Sequence, residues 1–426
     1  MNPIIIIGAG LAGWTTAREF RKLDSTTPLL LITADRGDFY AKPSLSNAFN
    51  QGRAPAQLVS TAAAKMVETL KLTLLANTCV EAIHPHTQTV TTAQGEFRYS
   101  QLVLATGAQP IRVPMAGDGA AQVLSINSLD DFSAFHARLT GVDGFENRSH
   151  AAAAEPIEGS AASRRKPHVL IMGAGLIGCE FANDLAASNY QVSVVDPSNG
   201  PMAALLPAET RAQLREALAA LGVTWHFGAT VTSVNRAAST GDKPNGHTLQ
   251  VELSNGHLVP VDRVLSAIGL RADTALAQGA GLACERGIVV DAALQTSAPH
   301  IYAVGDGAQY ASAGGRTLPY VMPIMSAAKA LAATLAGTRT DVVFPLMPVA
   351  IKTPALPIVV AAPAPGSAGD WRSAEPGLWQ FIDAQGQARG FVLTGKQTSR
   401  RAEQAKLVMV ARPSPLAAPT GRTVPP

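Results

Sequence analysis

Along the chain, short runs of consecutive apolar residues alternate with stretches of helical spacing, which predicts buried parallel strands covered by helices. The first run, Ile4 to Ile7, passes into Gly8-Ala9-Gly10-Leu11-Ala12-Gly13. Four β-branched residues running into glycines predict a buried strand that turns sharply into a helix. Helical spacing then puts Trp14, Ala17 and Leu23 on one side, with Arg18, Glu19, Arg21 and Lys22 elsewhere. The apolar stretch 29–33 predicts a second parallel strand ending at Ala34-Asp35. A helix over 62–70, a short strand over 72–76 and a meander from Thr78 to Tyr99 are expected next, before the strand opening 102–110 runs into Thr106-Gly107.

The same order then repeats. Val169 to Met172 runs into Gly173-Ala174-Gly175-Leu176-Ile177-Gly178, and a helix through Glu180, Ala182 and Leu185 leads to a strand ending at Asp196. A helix around 208–221, a strand over 223–227, a meander over 231–259 and a strand ending at Gly269 complete the copy. This duplication predicts two dinucleotide-binding units in one chain. Beyond it, a strand delivers Gly305-Asp306 to a turn, and a helix over 326–335 is expected to start after Pro323. From Val343 the pattern changes to Pro-punctuated strands over 345–362, 378–382 and 390–393, with a helix near 399–410. The expected fold class is α/β, with two Rossmann-like dinucleotide-binding domains plus a C-terminal α+β module.

Segment 142–166 has no periodicity and is rich in Ala, Ser, Glu and Arg, so a solvated, mobile and dispensable insertion is expected there. The Pro-rich tail 411–426 is expected to be disordered.

Each Gly-x-Gly-x-x-Gly carries a specific chemistry. The first glycine permits the tight turn, the second lets a pyrophosphate approach the backbone, and the third lets helix and strand pack closely. The helix N-terminus then presents its free N–H groups to the phosphates. An acid just past the second strand, as Asp35 is, sits where a carboxylate catches ribose hydroxyls, although a plain loop carboxylate has the same look. Asp196 holds the corresponding place in the copy. The residues after it are Pro197, Ser198 and Asn199, with no Arg to receive a 2′-phosphate, so NADH is expected over NADPH.

Composition narrows the function further. The 426 residues are 47% hydrophobic and 15% charged, with a net charge of +3. That balance fits an ordinary α/β protein of two or three domains and lacks the dense basic patches of a nucleic-acid binder. The 3 cysteines, Cys79, Cys179 and Cys284, are widely spaced without a CxxC, which argues against a zinc ribbon, an iron-sulfur cluster or a local disulfide framework. No metal site is expected. The sequence has no run of 18 apolar residues, and its apolar start has glycines where a signal peptide has a cleavage site. A cytoplasmic location without membrane association is therefore expected.

Together, the two glycine motifs, the strand ending in Ala105-Thr106-Gly107 and the late strand ending in Gly305-Asp306 resemble the two-dinucleotide-binding-domain flavoprotein reductases. The resemblance implies FAD on the first unit, held by Gly8, Ala9, Gly10, Leu11, Gly13, Ala34, Asp35, Lys42, Val80, Thr106, Gly107, Asp306 and Val321. It implies NAD on the second, held by Gly173, Gly175, Leu176, Ile177, Gly178, Glu180, Asp196 and Gly269. The implied division is an FAD-binding domain over 1–114 and 264–338, an NAD-binding domain over 115–263, a C-terminal domain over 339–410 and a tail.

In the disulfide reductases of that family a cysteine pair follows the ribose acid. Here the corresponding loop, Tyr40-Ala41-Lys42-Pro43-Ser44-Leu45-Ser46, has none. The strings ITAD, YAKPSLS, RVP, GLIGCEFANDL, RGIVVD, YVMP and KTPALP resemble the rubredoxin and flavorubredoxin reductase branch. The resemblance implies electron transfer from NADH through FAD to rubredoxin or a similar small acidic one-electron carrier, by a monomer or weak dimer. It further implies Lys42 at the N5 edge of the flavin, Lys352 near its pyrimidine end, and a catalytic pair in which Lys42 meets Glu180. Read from the residues alone, Lys42 is equally a solvated loop lysine, Glu180 a first-turn acid favoured by the helix dipole, and Lys352 a surface charge. A ferredoxin reductase, or a redox-gated FAD- and NADH-binding interaction protein with slow turnover, remain the alternatives.

Overall fold

A computed structural model describes residues 2–140, 167–237 and 248–408. The 142–166 insertion, part of the second meander and the 411–426 tail lie outside the described residues.

Five parallel strands make the first sheet, in the order Ile301–Ala303, Gln101–Leu104, Ile4–Ile7, Leu29–Ile32 and Thr73–Leu75. Ile4–Ile7 sits at its centre and is buried throughout, which is why it reads as an unbroken apolar run. The Leu11–Leu23 helix packs against the Val321–Leu335 helix, and Thr15 Oγ1 reaches Met325 Sδ across that contact at 3.7 Å. Trp14 is wholly buried, and its Nε1–H donates to the Gly37 carbonyl at 3.0 Å. Leu23, grouped with Trp14 by spacing, is instead 58% exposed, because nine residues at about 100° each carry it to the far side of the helix from Trp14. A three-stranded antiparallel meander, Val80–His84, Thr89–Thr92 and Gly95–Arg98, stands where expected.

The second sheet repeats the first in miniature: Val223–Phe227, Gln191–Asp196, His168–Met172 and Arg263–Ser266, all parallel. Even individual bonds recur. Gly8 N–H donates to Ile32 O and Gly173 N–H to Val195 O, each at 2.8 Å. The chain leaves and re-enters the first unit side by side, because Ala108–Pro110 pairs antiparallel with Leu270–Ala272.

The Val321–Leu335 helix starts earlier than the 326 expected from sequence. Pro323 lies in its first turn, where backbone N–H groups have no intrahelical acceptor, so the proline does not delay the start.

The C-terminal module is an antiparallel sheet in the order Val349–Ile351, Ile358–Ala361, Ala388–Thr394, Leu378–Asp383 and Gly369–Glu375, with the Arg401–Leu407 helix after it. The edge strand Gly369–Glu375 was not expected from sequence, since it is largely exposed and carries no apolar run. On its inner side, Ile351, Ile358, Val360 and Val392 share one core with Phe181 and Leu185 of the Leu176–Ala187 helix and with Leu45 and Phe49 of the 42–49 segment. The module is thus packed onto both nucleotide units at once.

Candidate active site

The two glycine turns behave as the chemistry requires. Gly8 and Gly173 have φ of +108° and +100°, and a Cβ on either would meet a backbone oxygen, Ala105 O at 2.3 Å or Ala267 O at 2.6 Å. A Cβ on Gly13 would lie 1.9 Å from Gly8 O, and one on Gly178 would lie 1.9 Å from Gly173 O, so helix and strand touch at these points. Gly10 and Gly175 differ: a Cβ there meets nothing within 4 Å among the described residues. Each stands just before its helix, at the open mouth where free N–H groups face outward. A pyrophosphate fits that space and a methyl group would occupy it.

Around the first cradle the late motifs converge. A Cβ on Gly305, at φ +89°, would come 2.8 Å from Ala12 Cβ, and one on Gly307 would come 2.9 Å from Gly107 O. The Gly305-Asp306 turn therefore touches both the first helix and the Thr106-Gly107 turn. Thr106 Oγ1 donates to Asp273 O at 3.0 Å, and Gly269 O accepts from Ile111 N–H at 3.0 Å. Asp306 Oδ1 is buried without a hydrogen-bond partner among the described residues. Burial pushes its carboxyl pKa up, and Lys42 opposes that shift. An unpaired carboxylate oxygen beside the cradle is the acceptor that a ribityl or ribose hydroxyl of FAD requires, and on this ground the residues fit that cofactor.

Asp35 is exposed at the strand end, with Oδ1 accepting from Thr33 Oγ1 at 2.8 Å and Gly37 N–H at 2.9 Å; Ala34 beside it is exposed too. Val80 opens the meander that follows. Val321 opens its helix, with Tyr320 and Met322 also exposed there. In the second unit Leu176 and Ile177 form the first turn after the open Gly175. Asp196 uses both oxygens on backbone, Oδ2 on Ala174 N–H within the glycine turn at 2.6 Å and Oδ1 on Ser198 N–H at 2.8 Å.

The expected Lys42–Glu180 pair is not formed. Glu180 is 2% exposed, and its carboxylate pairs with Lys352 Nζ while also accepting from Lys352 N–H at 2.9 Å and Ser46 Oγ at 2.6 Å. Lys352 is therefore neither a plain surface charge nor a free cation; it belongs to Glu180. Lys42 donates instead to Asn127 Oδ1 at 3.0 Å. Its side chain is exposed, yet the protein around it lowers its pKa, with desolvation outweighing the opposing charges of Asp306 and Asp131. The physical reason lies in the short Lys42–Asn47 helix, whose start is exposed while Ser46 and Leu45 are buried against the second unit. Glu180 meets that helix at Ser46, not at Lys42.

Other residues of this junction were not singled out from sequence. Asp184 accepts Phe49 N–H at 3.0 Å and Asn50 N–H at 2.8 Å, and Asn183 Oδ1 accepts Ala355 N–H at 3.1 Å. Asn127 precedes Ser128-x-x-Asp131, a capping signature that was readable in the sequence. Cys179 is buried, with its thiol donating to Ala174 O at 3.3 Å and its pKa raised by desolvation.

Residues 2–333 match the family described as pyridine nucleotide-disulphide oxidoreductase, and residues 341–408 match the rubredoxin binding C-terminal domain. The chain is 41% identical to a rubredoxin-NAD(+) reductase of Alcanivorax borkumensis, over 94% of this chain and 97% of the relative. It is 39% identical to a nitric oxide reductase FlRd-NAD(+) reductase of Aeromonas salmonicida, over 93% and 94% of the two chains. Its fold superposes with a TM-score of 0.77 on a ferredoxin reductase of Rhodopseudomonas palustris, at 25% identity over 92% and 91%. The chain belongs to the pyridine nucleotide-disulphide oxidoreductase family, with a rubredoxin-binding C-terminal domain following the two nucleotide-binding units.

Proposed function

We propose that this chain passes electrons from NADH through FAD to rubredoxin or a rubredoxin-like one-electron carrier. The observation that carries the reading is the Glu180–Lys352 contact, which ties the helix behind the second glycine cradle to the module that matches the rubredoxin-binding domain. When bound, FAD supplies the conversion of a two-electron hydride donor into single electrons.

The residues then divide the work. Gly10 and Gly175 leave room for the pyrophosphates, Asp35 takes ribose hydroxyls and Asp306 takes a hydroxyl of the flavin nucleotide. Lys42 holds positive charge at the flavin site, where it favours electron density arriving on the flavin. Asp196 is fixed by two backbone N–H bonds with its charge toward the second cradle, an arrangement that accepts a 2′-hydroxyl and repels a 2′-phosphate. The FAD-binding part spans 1–114 and 264–338, the NAD-binding part 115–263 and the carrier-binding part 339–410. No helix among the described residues is long and apolar enough to cross a membrane, and we place the enzyme in the cytoplasm.

The test is a panel. Purified protein is expected to hold FAD, to bleach on NADH addition far faster than on NADPH, and to turn over with rubredoxin faster than with a ferredoxin. Bleaching without turnover on any carrier would favour the interaction-protein reading, and a ferredoxin preference the oxygenase-type reductase. Lys42→Met is expected to keep FAD and to slow bleaching by roughly tenfold to a thousandfold, the range for one preorganised electrostatic contact. An unchanged rate would remove Lys42 from the reaction.

A further inference from the structure

Asn127 stands where the chain enters the Leu129–Thr140 helix. Its surroundings are unusually fixed. Asp131 Oδ2 accepts Asn127 N–H at 3.0 Å and Ser128 N–H at 2.9 Å, and Ser128 Oγ accepts Asp131 N–H at 3.1 Å, a reciprocal cap. Leu129 N–H donates to the Tyr40 hydroxyl at 3.1 Å, tying the same helix start to the strand that leads to Lys42. The side chain of Asn127 bridges two elements of the first unit: Nδ2 donates to Ala108 O at 2.8 Å, and Oδ1 accepts from Lys42 Nζ at 3.0 Å. Turning the amide over would set Nδ2 against an ammonium and Oδ1 against a carbonyl, so the two partners select one orientation.

We propose that Asn127 is the positioning residue that holds the Lys42 ammonium at the flavin site, and that its neutral amide does so without cancelling the lysine's charge. The proposal rests on the reading of Lys42 given above. An exposed lysine stem has many rotamers, and a fixed acceptor selects among them. The carboxylates that face the ammonium from other elements, Asp306 and Asp131, act on it through space. Asp131 is held by the cap and Asp306 lies beside the first cradle, which leaves Asn127 as the direct contact among the described residues. A carboxylate in its place would bond equally well and neutralise the charge.

The experiment compares Asn127→Ala, Lys42→Met and the double variant as FAD-loaded enzymes, by stopped-flow reduction with NADH and by equilibrium measurement of the flavin reduction potential. Asn127→Ala is expected to lower the limiting reduction rate by about threefold to thirtyfold with little change in the NADH concentration needed for half saturation. The potential is expected to fall in both single variants, and the double is expected to match Lys42→Met in rate and potential. Asn127→Asp, nearly isosteric, is expected to lower the potential as well, which covers the case of an Ala variant that folds poorly. A wild-type rate and potential in Asn127→Ala alongside a slowed Lys42→Met would overturn the positioning role alone. Multiplying effects in the double variant, or an unchanged potential in Asn127→Asp, would overturn it too. A Lys42→Met enzyme at wild-type rate would instead overturn the underlying reading of Lys42.

Discussion

The helix behind the first glycine cradle, Leu11–Leu23, and its counterpart behind the second, Leu176–Ala187, follow the same turn yet bury different chemistry. The first buries Trp14, Ala17 and Phe20 with two threonines, and packs against another helix of its own unit. The second buries Glu180, Asn183 and Asp184. Buried carboxylates are costly unless bonded, so each marks a partner: Ser46 and Lys352 for Glu180, the Phe49 and Asn50 amides for Asp184. The duplicated turn thus keeps the nucleotide chemistry in common while the helices diverge, one into a core element and the other into a joint among three modules.

The comparison breaks most visibly at the glycines. Gly13→Ala puts a methyl group 1.9 Å from Gly8 O, inside a helix-strand contact with no slack. It is expected to cost about 3 kcal/mol or more and to empty the first unit of FAD. Gly10→Ala meets open space. It is expected to stay within about 1 kcal/mol of wild type and still to lose FAD. Flavin absorbance after gel filtration and denaturant midpoints separate the two effects, and full FAD retention in Gly10→Ala would remove the cradle from cofactor binding. Gly175→Ala, the sister change, is expected to retain FAD and weaken NADH binding.

Next in size are the helix faces themselves. Trp14→Ala opens a cavity in a sealed core and is expected to cost about 3 to 5 kcal/mol. On the second helix the effect depends on which partner is removed. Lys352→Met leaves the Glu180 charge buried with a hydroxyl and one backbone N–H, at an expected cost of about 3 kcal/mol. Adding Glu180→Gln removes that stranded charge, so the double variant is expected to be more stable than Lys352→Met alone. Urea midpoints of the single and double variants measure this, and strictly additive losses would mean that the pair is not the source of the cost.

The same contrast explains what the sequence made legible. Strands such as Ile4–Ile7 and His168–Met172, buried on both faces, can only be written as apolar runs, and the turns after them only with glycine. Gly369–Glu375 lies at a sheet edge with most side chains in solvent, so no period marks it. Glu180 and Lys352 are 172 residues apart, and their pairing follows from where the C-terminal sheet docks, which no local pattern encodes. Lys42 and Asn127, 85 apart, meet for a similar reason, because the start of the Leu129–Thr140 helix is tied to Tyr40. Asn183 and Asp184 read as ordinary helix polars because their partners are backbone amides of distant segments.

A pH dependence sharpens the joint further. Burial raises the Asp184 carboxyl from an ordinary 3.8 to about 6, against the lowering influence of the Asn50 and Phe49 amides and of Lys352 and Arg53. A folded pKa above the unfolded one means that between those two values the folded state keeps a proton that the unfolded state has released. Stability from this group is therefore full below about pH 4, falls as pH rises toward 6, and is level above that, with a slope of at most ~1.4 kcal/mol per pH unit. Asp184→Asn removes the titration, although its amide satisfies the two backbone donors less well. The wild type minus variant difference in unfolding free energy is thus expected to decline between pH 4 and pH 6 and then to flatten. Urea titrations of both proteins at pH 4, 5, 6 and 7 give that difference directly. A difference that is the same at all four values would mean that Asp184 titrates alike in folded and unfolded chains, its bonds to the Phe49-Asn50 turn offsetting its desolvation.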